Sequence, residues 1–212
     1  SSAMVDPACI EPVLPIALAS GCDIVAASVI AGCDICFRPD FITRSILLRY
    51  IRPSSLEDAV GLLANASGKA AILAGGSDLL VRMKGGFIEP DLIIDIKAID
   101  ALGRIIENDD GFVIGAAVPG AVRGENTALR NAWPGVVEGA RLIGSKQVQG
   151  RCTIVGNLCN ASPAADSVPA LVAAGARALV RGPAGSRTIA VETIPVGPGK
   201  TSLAPGEIIE AI

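Results

Sequence analysis

The chain has 212 residues, enough for one to two domains, and is 50% hydrophobic, 18% charged and net −3. That balance excludes a disordered tail and a basic nucleic-acid binder, and 3% aromatic content leaves the core to Ala, Val, Leu and Ile. Histidine is absent, which removes Ser-His-Asp and Cys-His catalysis and every His-ligated metal site.

The 24 glycines and 14 prolines disfavour a helical bundle and point to a loop-rich α/β or α+β protein. Residues 1–46 form a separate segment without a clean helical or strand period. It holds four of the six cysteines, Cys9, Cys22, Cys33 and Cys36. The Cys33-x-x-Cys36 pair matches no iron–sulfur spacing and lacks a clear βαβ context, so these are read as ordinary buried or solvated thiols. The most apolar window, 13–33, carries Asp23 near its centre, which argues against a membrane span. With no secretory leader pattern and no need of disulfides at this length, a cytoplasmic protein with reduced thiols is expected.

From residue 47 the pattern becomes orderly. LLRYI (47–51) reads as a strand. Ser54 then caps a helix, with Glu57 closing a capping box and Leu56, Ala59, Val60 and Leu63 on one face. AAILA (70–74) is a buried strand, Gly75-Gly76-Ser77 a turn, 77–84 a short helix and DLIIDI (91–96) another strand, with parallel pairing of the last two strands expected. RIIE and FVIG around NDDG form a hairpin, and 134–143 a helix with Pro134 in its first turn. Residues 144–169 read as loop, 176–182 and 187–191 as a second hairpin, and GEIIEAI as a strand beginning.

Two segments carry chemistry. In 70–84, Gly75 and Gly76 follow a strand and precede a helix, so backbone N–H groups there can approach a phosphate. In 143–171, a long run of small and apolar residues carries Thr153, Asn157, Asn160, Ser162 and Asp166; a loop so long suits a ligand that it wraps. VGPGKTS (196–202) mimics a Walker loop around Gly199-Lys200-Thr201, but Ile194 stands where its first glycine is required.

Together, LLRYIRPSSLEDAVGLL, AILAGGSDLL, SKQVQGRCTIVGNLCNASPAADSVPAL and VGPGKTSLAPGEII resemble the FAD-binding subunit or domain of the molybdenum hydroxylase family, which includes xanthine dehydrogenase and aerobic carbon monoxide dehydrogenase. The resemblance implies an α+β, PCMH-type FAD-binding fold over 47–212, in two α/β subdomains at about 47–100 and 101–212, with the family's C-terminal subdomain missing. It implies FAD as cofactor, a molybdopterin-binding large subunit and a 2Fe–2S small subunit as partners, and NAD, a quinone or oxygen as acceptor. By the same resemblance, Ile72 and Ala74, Gly75, Gly76, Ser77 and Asp78 hold the pyrophosphate region, mainly through backbone groups. Ile143 lies against the flavin; Cys152, Thr153, Gly156 and Asn157 line the second contact; Asp166 binds a hydroxyl-bearing part; Ile208 or Ile209 closes over the cofactor. Val155 stands where the family has glycine, and its branched Cβ is expected to crowd the phosphate, so that Val155→Gly would tighten binding. No acid, base or nucleophile is assigned, because the flavin does the chemistry. The alternatives are a stand-alone FAD oxidoreductase of this fold, for which Tyr50 and Trp133 are the few aromatic candidates, and a non-catalytic remnant that binds no FAD.

Overall fold

The computed structural model describes residues 48–212. The four N-terminal cysteines, the Cys33-x-x-Cys36 pair and the 13–33 window lie outside the described residues. Within them no helix is long and apolar enough to cross a membrane, and Cys152 and Cys159 are free.

The chain begins with an α/β unit. Strand β1 (Arg49–Ile51) leads to helix α1 (Leu56–Ala64), then β2 (Ala70–Leu73), α2 (Leu79–Lys84) and β3 (Leu92–Asp95). The three strands form a parallel sheet in the order β1-β3-β2, so the parallel pairing of the two apolar strands holds and β1 joins it. β3 is buried along its whole length, as a central strand covered on both faces must be. The helical face of Leu56, Ala59 and Val60 is buried as the periodicity requires. The cap differs: Ser55, not Ser54, accepts the N–H of Asp58, at 3.1 Å. The capping side chain must sit immediately before the first helical residue, and that residue is Leu56.

The second part opens with the hairpin β4 (Ile105–Asn108) and β5 (Gly111–Ile114), turned through Asp109-Asp110 with Gly111 at φ 134°. A helical layer follows: α3 (Gly120–Glu125), α4 (Thr127–Ala132), α5 (Pro134–Arg141), α6 (Lys146–Gln149), α7 (Ile154–Asn160) and α8 (Val168–Ala173). Residues 144–169 are therefore half helical rather than all loop, and α3 and α4 had no counterpart in the sequence reading. Each of these is one to two turns long, too short and too rich in small residues to show an apolar period. Thr153 caps α7, and Ala161, at φ 46°, ends it in the left-handed region.

The strands β6 (Arg177–Gly182) and β7 (Gly185–Ala190) form the second hairpin. β8 (Pro195–Gly197) and β9 (Lys200–Thr201) form a small one exactly where the Walker-like run lies, and β10 (Ile208–Ala211) completes a sheet in the order β10-β6-β7. The chain's last residues pair with β5 through Ile114 N–H to Ile212 O, 2.7 Å, and the reciprocal bond, 2.9 Å. One apolar cluster runs through Leu56, Ile94, Ile96, Leu102, Ile154, Leu158, Ile208 and Ile209, so the first sheet, the helical layer and β10 share a core.

The cap gives a direct check. Ser55→Ala should cost about 1 kcal/mol in urea unfolding, while exposed Ser54→Ala should change stability by less than about 0.5 kcal/mol.

Candidate functional site

The three parallel strands end on one side, and β2 releases its chain there into the turn 74–78. Ligands of parallel sheets collect beyond such carboxyl ends. Gly76 adopts φ +78°, a region that a side chain strains. Gly75 is needed for a different reason: a Cβ there would run into the Arg151 carbonyl and lie 3.0 Å from Cys152 Cα. The first turn is thus seated on the backbone that leads into α7.

The amides of Gly76, Ser77, Asp78 and Leu79 have no acceptor among the described residues, and Asp78, at the cap of α2, gives no side-chain cap. At α7, Thr153 Oγ1 accepts the Gly156 N–H at 2.9 Å, and Thr153 O accepts Asn157 N–H at 3.0 Å. The Ile154 and Val155 amides stay free at the helix start, as first-turn amides do. Gly156 is small because a Cβ would come within 2.9 Å of Thr153 Oγ1.

Both turns face a cleft of about 200 Å³. The structure brings Ile72, Ala74, Gly75, Gly76, Ser77 and Asp78 together with Ile143, Cys152, Thr153, Gly156 and Asn157, and sets Ile208 and Ile209 on its wall. Its volume is below the roughly 300–1,000 Å³ of a full ligand pocket, room for a segment of a large ligand and not the whole. Asp166 stands apart: it is exposed in the turn before α8 and does not line the cleft. Asn157 instead ties down that turn, its Oδ1 accepting from Ser167 Oγ at 2.7 Å and Ser167 N–H at 3.3 Å.

Sequence reasoning missed Arg82, Leu203 and Glu207 on the cleft wall. Arg82 lies one turn beyond Gly76–Asp78, and a cation at that spacing from a glycine turn was the available signal. Glu207 had none, since its role depends on a partner 20 residues away: Arg187 grips it with two 2.7 Å bonds and holds its carboxyl below the usual range. This carboxylate is therefore already compensated before any anion enters.

The thiols of the cleft favour the protonated form. Burial pushes Cys159 up to about 12 and raises Cys152, although the nearby Arg123 opposes the second shift. Behind the 75–77 turn, Asp95 at the end of β3 receives Lys97 Nζ at 2.7 Å, the Lys97 N–H at 3.0 Å and the Tyr50 hydroxyl. Burial alone would raise Asp95, but the hydrogen bonds from Lys97 and Tyr50 outweigh it and hold the carboxyl low. Tyr50 is raised by burial and by that same bond, so its proton stays on the phenol. Trp133 is 41% exposed and lines a different groove.

Free amides, a positive-φ glycine and a turn with no room for a Cβ fit the phosphate-bearing segment of FAD. Val155 lines the cleft and belongs to the core as well. Its residue is helical and only 6% exposed, and it packs into the core cluster at the cleft's edge. Val155→Gly should therefore lose about 2 kcal/mol of unfolding free energy from lost burial and helix entropy, read by urea titration. Asp95 has a lowered folded pKa, so its stabilisation is present at neutral pH and disappears as pH falls through its folded value. Asp95→Asn should lower stability by about 2 kcal/mol at pH 7 and flatten the acid limb of stability against pH.

Residues 44–212 match the family described as the FAD binding domain in molybdopterin dehydrogenase. The chain is 33% identical over 163 residues to the carbon monoxide dehydrogenase medium chain of Hydrogenophaga pseudoflava, covering 77% of this chain and 57% of that one. It is 31% identical over 163 residues to the xanthine dehydrogenase FAD-binding subunit of Escherichia coli O157:H7, covering 76% and 56%. Among solved structures it is similar to the reconstituted CO dehydrogenase from Oligotropha carboxidovorans, with TM-score 0.73, 33% identity and coverage of 76% and 57%. The chain thus spans somewhat over half the length of these relatives. It belongs to the family of FAD-binding domains of molybdopterin dehydrogenases, and its cofactor is FAD.

Proposed function

We propose that this chain is the FAD-holding part of a multi-subunit molybdopterin dehydrogenase, working in the cytoplasm as an electron relay. A molybdopterin-binding large subunit would oxidise the substrate, and a 2Fe–2S small subunit would pass the electrons on. FAD, when bound, supplies the redox chemistry between those clusters and an acceptor such as NAD, a quinone or oxygen. The two α/β subdomains, about 47–100 and 101–212, each contribute one turn to the cleft.

The observation that carries this reading is the convergence of two amide-donating turns on one cleft. In it, the amides of Gly76 to Leu79 and of Ile154 and Val155 would hold the diphosphate, with Arg82 adding charge. The Asp78 carboxylate suits a hydroxyl donor such as a ribose. Ile143, Ile208 and Ile209 would exclude water from the apolar part. Asp166, carried over from the family resemblance, is proposed for a hydroxyl-bearing end outside the enclosed segment. In the cleft lining, burial raises the Cys152 and Cys159 thiols and Arg187 holds the Glu207 carboxyl low, which suits a relay better than a self-sufficient oxidase.

Heat or acid release followed by chromatography should yield FAD; FMN as the sole flavin would overturn the diphosphate assignment. Gly76→Val should retain its far-ultraviolet circular dichroism yet bind FAD at least about tenfold more weakly, the factor set by straining a positive-φ position. Unchanged flavin content at low added FAD would place the diphosphate elsewhere.

A further inference from the structure

We propose that Arg123 is a positioning residue for the anionic segment of the cofactor, its buried guanidinium acting through the Cys152 wall of the cleft. This rests on the reading of the cleft as the FAD site.

Arg123 lies in α3, is 0% exposed and is among the largest fully buried side chains. Its Nη2 donates to Ala140 O at 3.3 Å and reaches Gln149 Oε1 only at 3.5 Å. Nε and Nη1 have no acceptor among the described residues. The charged or titratable groups that act on it are Cys152 and a second cation, Arg141, whose own Nη2 is spent on Gly124 O at 2.9 Å. No carboxylate among the described residues answers it. Burial draws its affinity for the proton down, yet arginine remains charged in proteins. Cys152 cannot supply the anion, since burial keeps its thiol protonated. A buried cation without an anion is strongly unfavourable, and its complete burial keeps a partner protein's carboxylate from reaching it.

The location of the charge suggests what compensates it. Gly120, one turn before Arg123, donates its N–H to Cys152 O at 2.9 Å, and a Cβ on it would lie 3.1 Å from Cys152 Sγ and 3.0 Å from Gln149 O. Residues 149–152 are thus packed on α3 with Arg123 behind them, while Cys152 and Thr153 form the cleft wall on the other side. Gln149 is fixed by donating Nε2 to Ala140 O at 3.2 Å, so the acceptor it turns to Arg123 is a neutral one. A charge held in so dry a place is weakly screened, and its field reaches the cleft. The doubly negative diphosphate expected beside the Ile154 and Val155 amides is the anion that this field favours.

The test compares wild type with Arg123→Met, which keeps shape without charge, and Arg123→Lys, which keeps charge. Each apo-protein is titrated with FAD and with riboflavin, which has the same ring system and no diphosphate. The Met variant should bind FAD about tenfold more weakly, the order of effect of one charge across a protein interior, with riboflavin unchanged and apo thermal stability equal or higher. The Lys variant should recover most of the FAD affinity. If the Met variant fails to fold, Arg123→Gln takes its place. Equal FAD affinity in wild type and the neutral variant overturns the role of Arg123 and leaves the site reading standing. Equal losses for FAD and riboflavin, or for Met and Lys, reduce Arg123 to a structural part and also overturn it. Wild type that binds no FAD overturns the site reading and this inference with it.

Discussion

The backbone at Arg151 and Cys152 passes between two glycines, and the site depends on that passage. Gly75 approaches from the first sheet and Gly120 from the helical layer, and a Cβ on either would meet the 149–152 segment. Gly120 also fixes the segment by its 2.9 Å bond to Cys152 O. Because β2 ends at Leu73, just before Gly75, and α7 begins at Ile154, just after Cys152, the contact brings both turns to one cleft. Neither turn alone would be more than an ordinary chain reversal.

The cleft's electrostatics follow from how its carboxylates are placed. Glu207, on the wall, is gripped by Arg187, and Asp95, behind the glycine turn, is held by Lys97 and Tyr50. An acidic chain of net charge −3 thereby sets Arg82 on the cleft wall and pairs one of the two wall carboxylates, Glu207, with Arg187, leaving Asp78 at the glycine turn. Pairing matters more than composition here, since an unpaired carboxylate in a low-dielectric wall would repel a diphosphate strongly.

Much of this was legible in the sequence because the determining patterns are local. Continuous apolar runs mark β2 and β3, turn residues at Asp109-Asp110 and Pro183-Ala184 mark the hairpins, and glycines after a strand mark the first turn. The helical layer was not legible, since α3, α4, α6 and α7 are four to seven residues long and gain their order from packing and caps such as Thr153. The roles of Val155 and Arg123 were hidden for a related reason. Val155 reads as a residue out of place beside a phosphate, and its share in the core cluster shows only once α7 is formed. Arg123, in GAVRGE, carries no local signal, and its burial follows from packing against α5 and α6.

The distribution of protons in the cleft constrains what the chain can contribute to turnover. Cys159 sits near 12 and Cys152 is raised, while Tyr50 is both raised and committed to Asp95 on the far side of the turn. Histidine is absent from the chain. A group suited to proton transfer titrates near the working pH, and none of these does. The cleft residues are thus equipped to hold charge in place rather than to shuttle it: amides that cost no reorganisation, a compensated carboxylate, and a buried guanidinium. Such a set suits the anchoring of an anionic group, since amides and fixed charges placed in advance need no reorganisation when it binds.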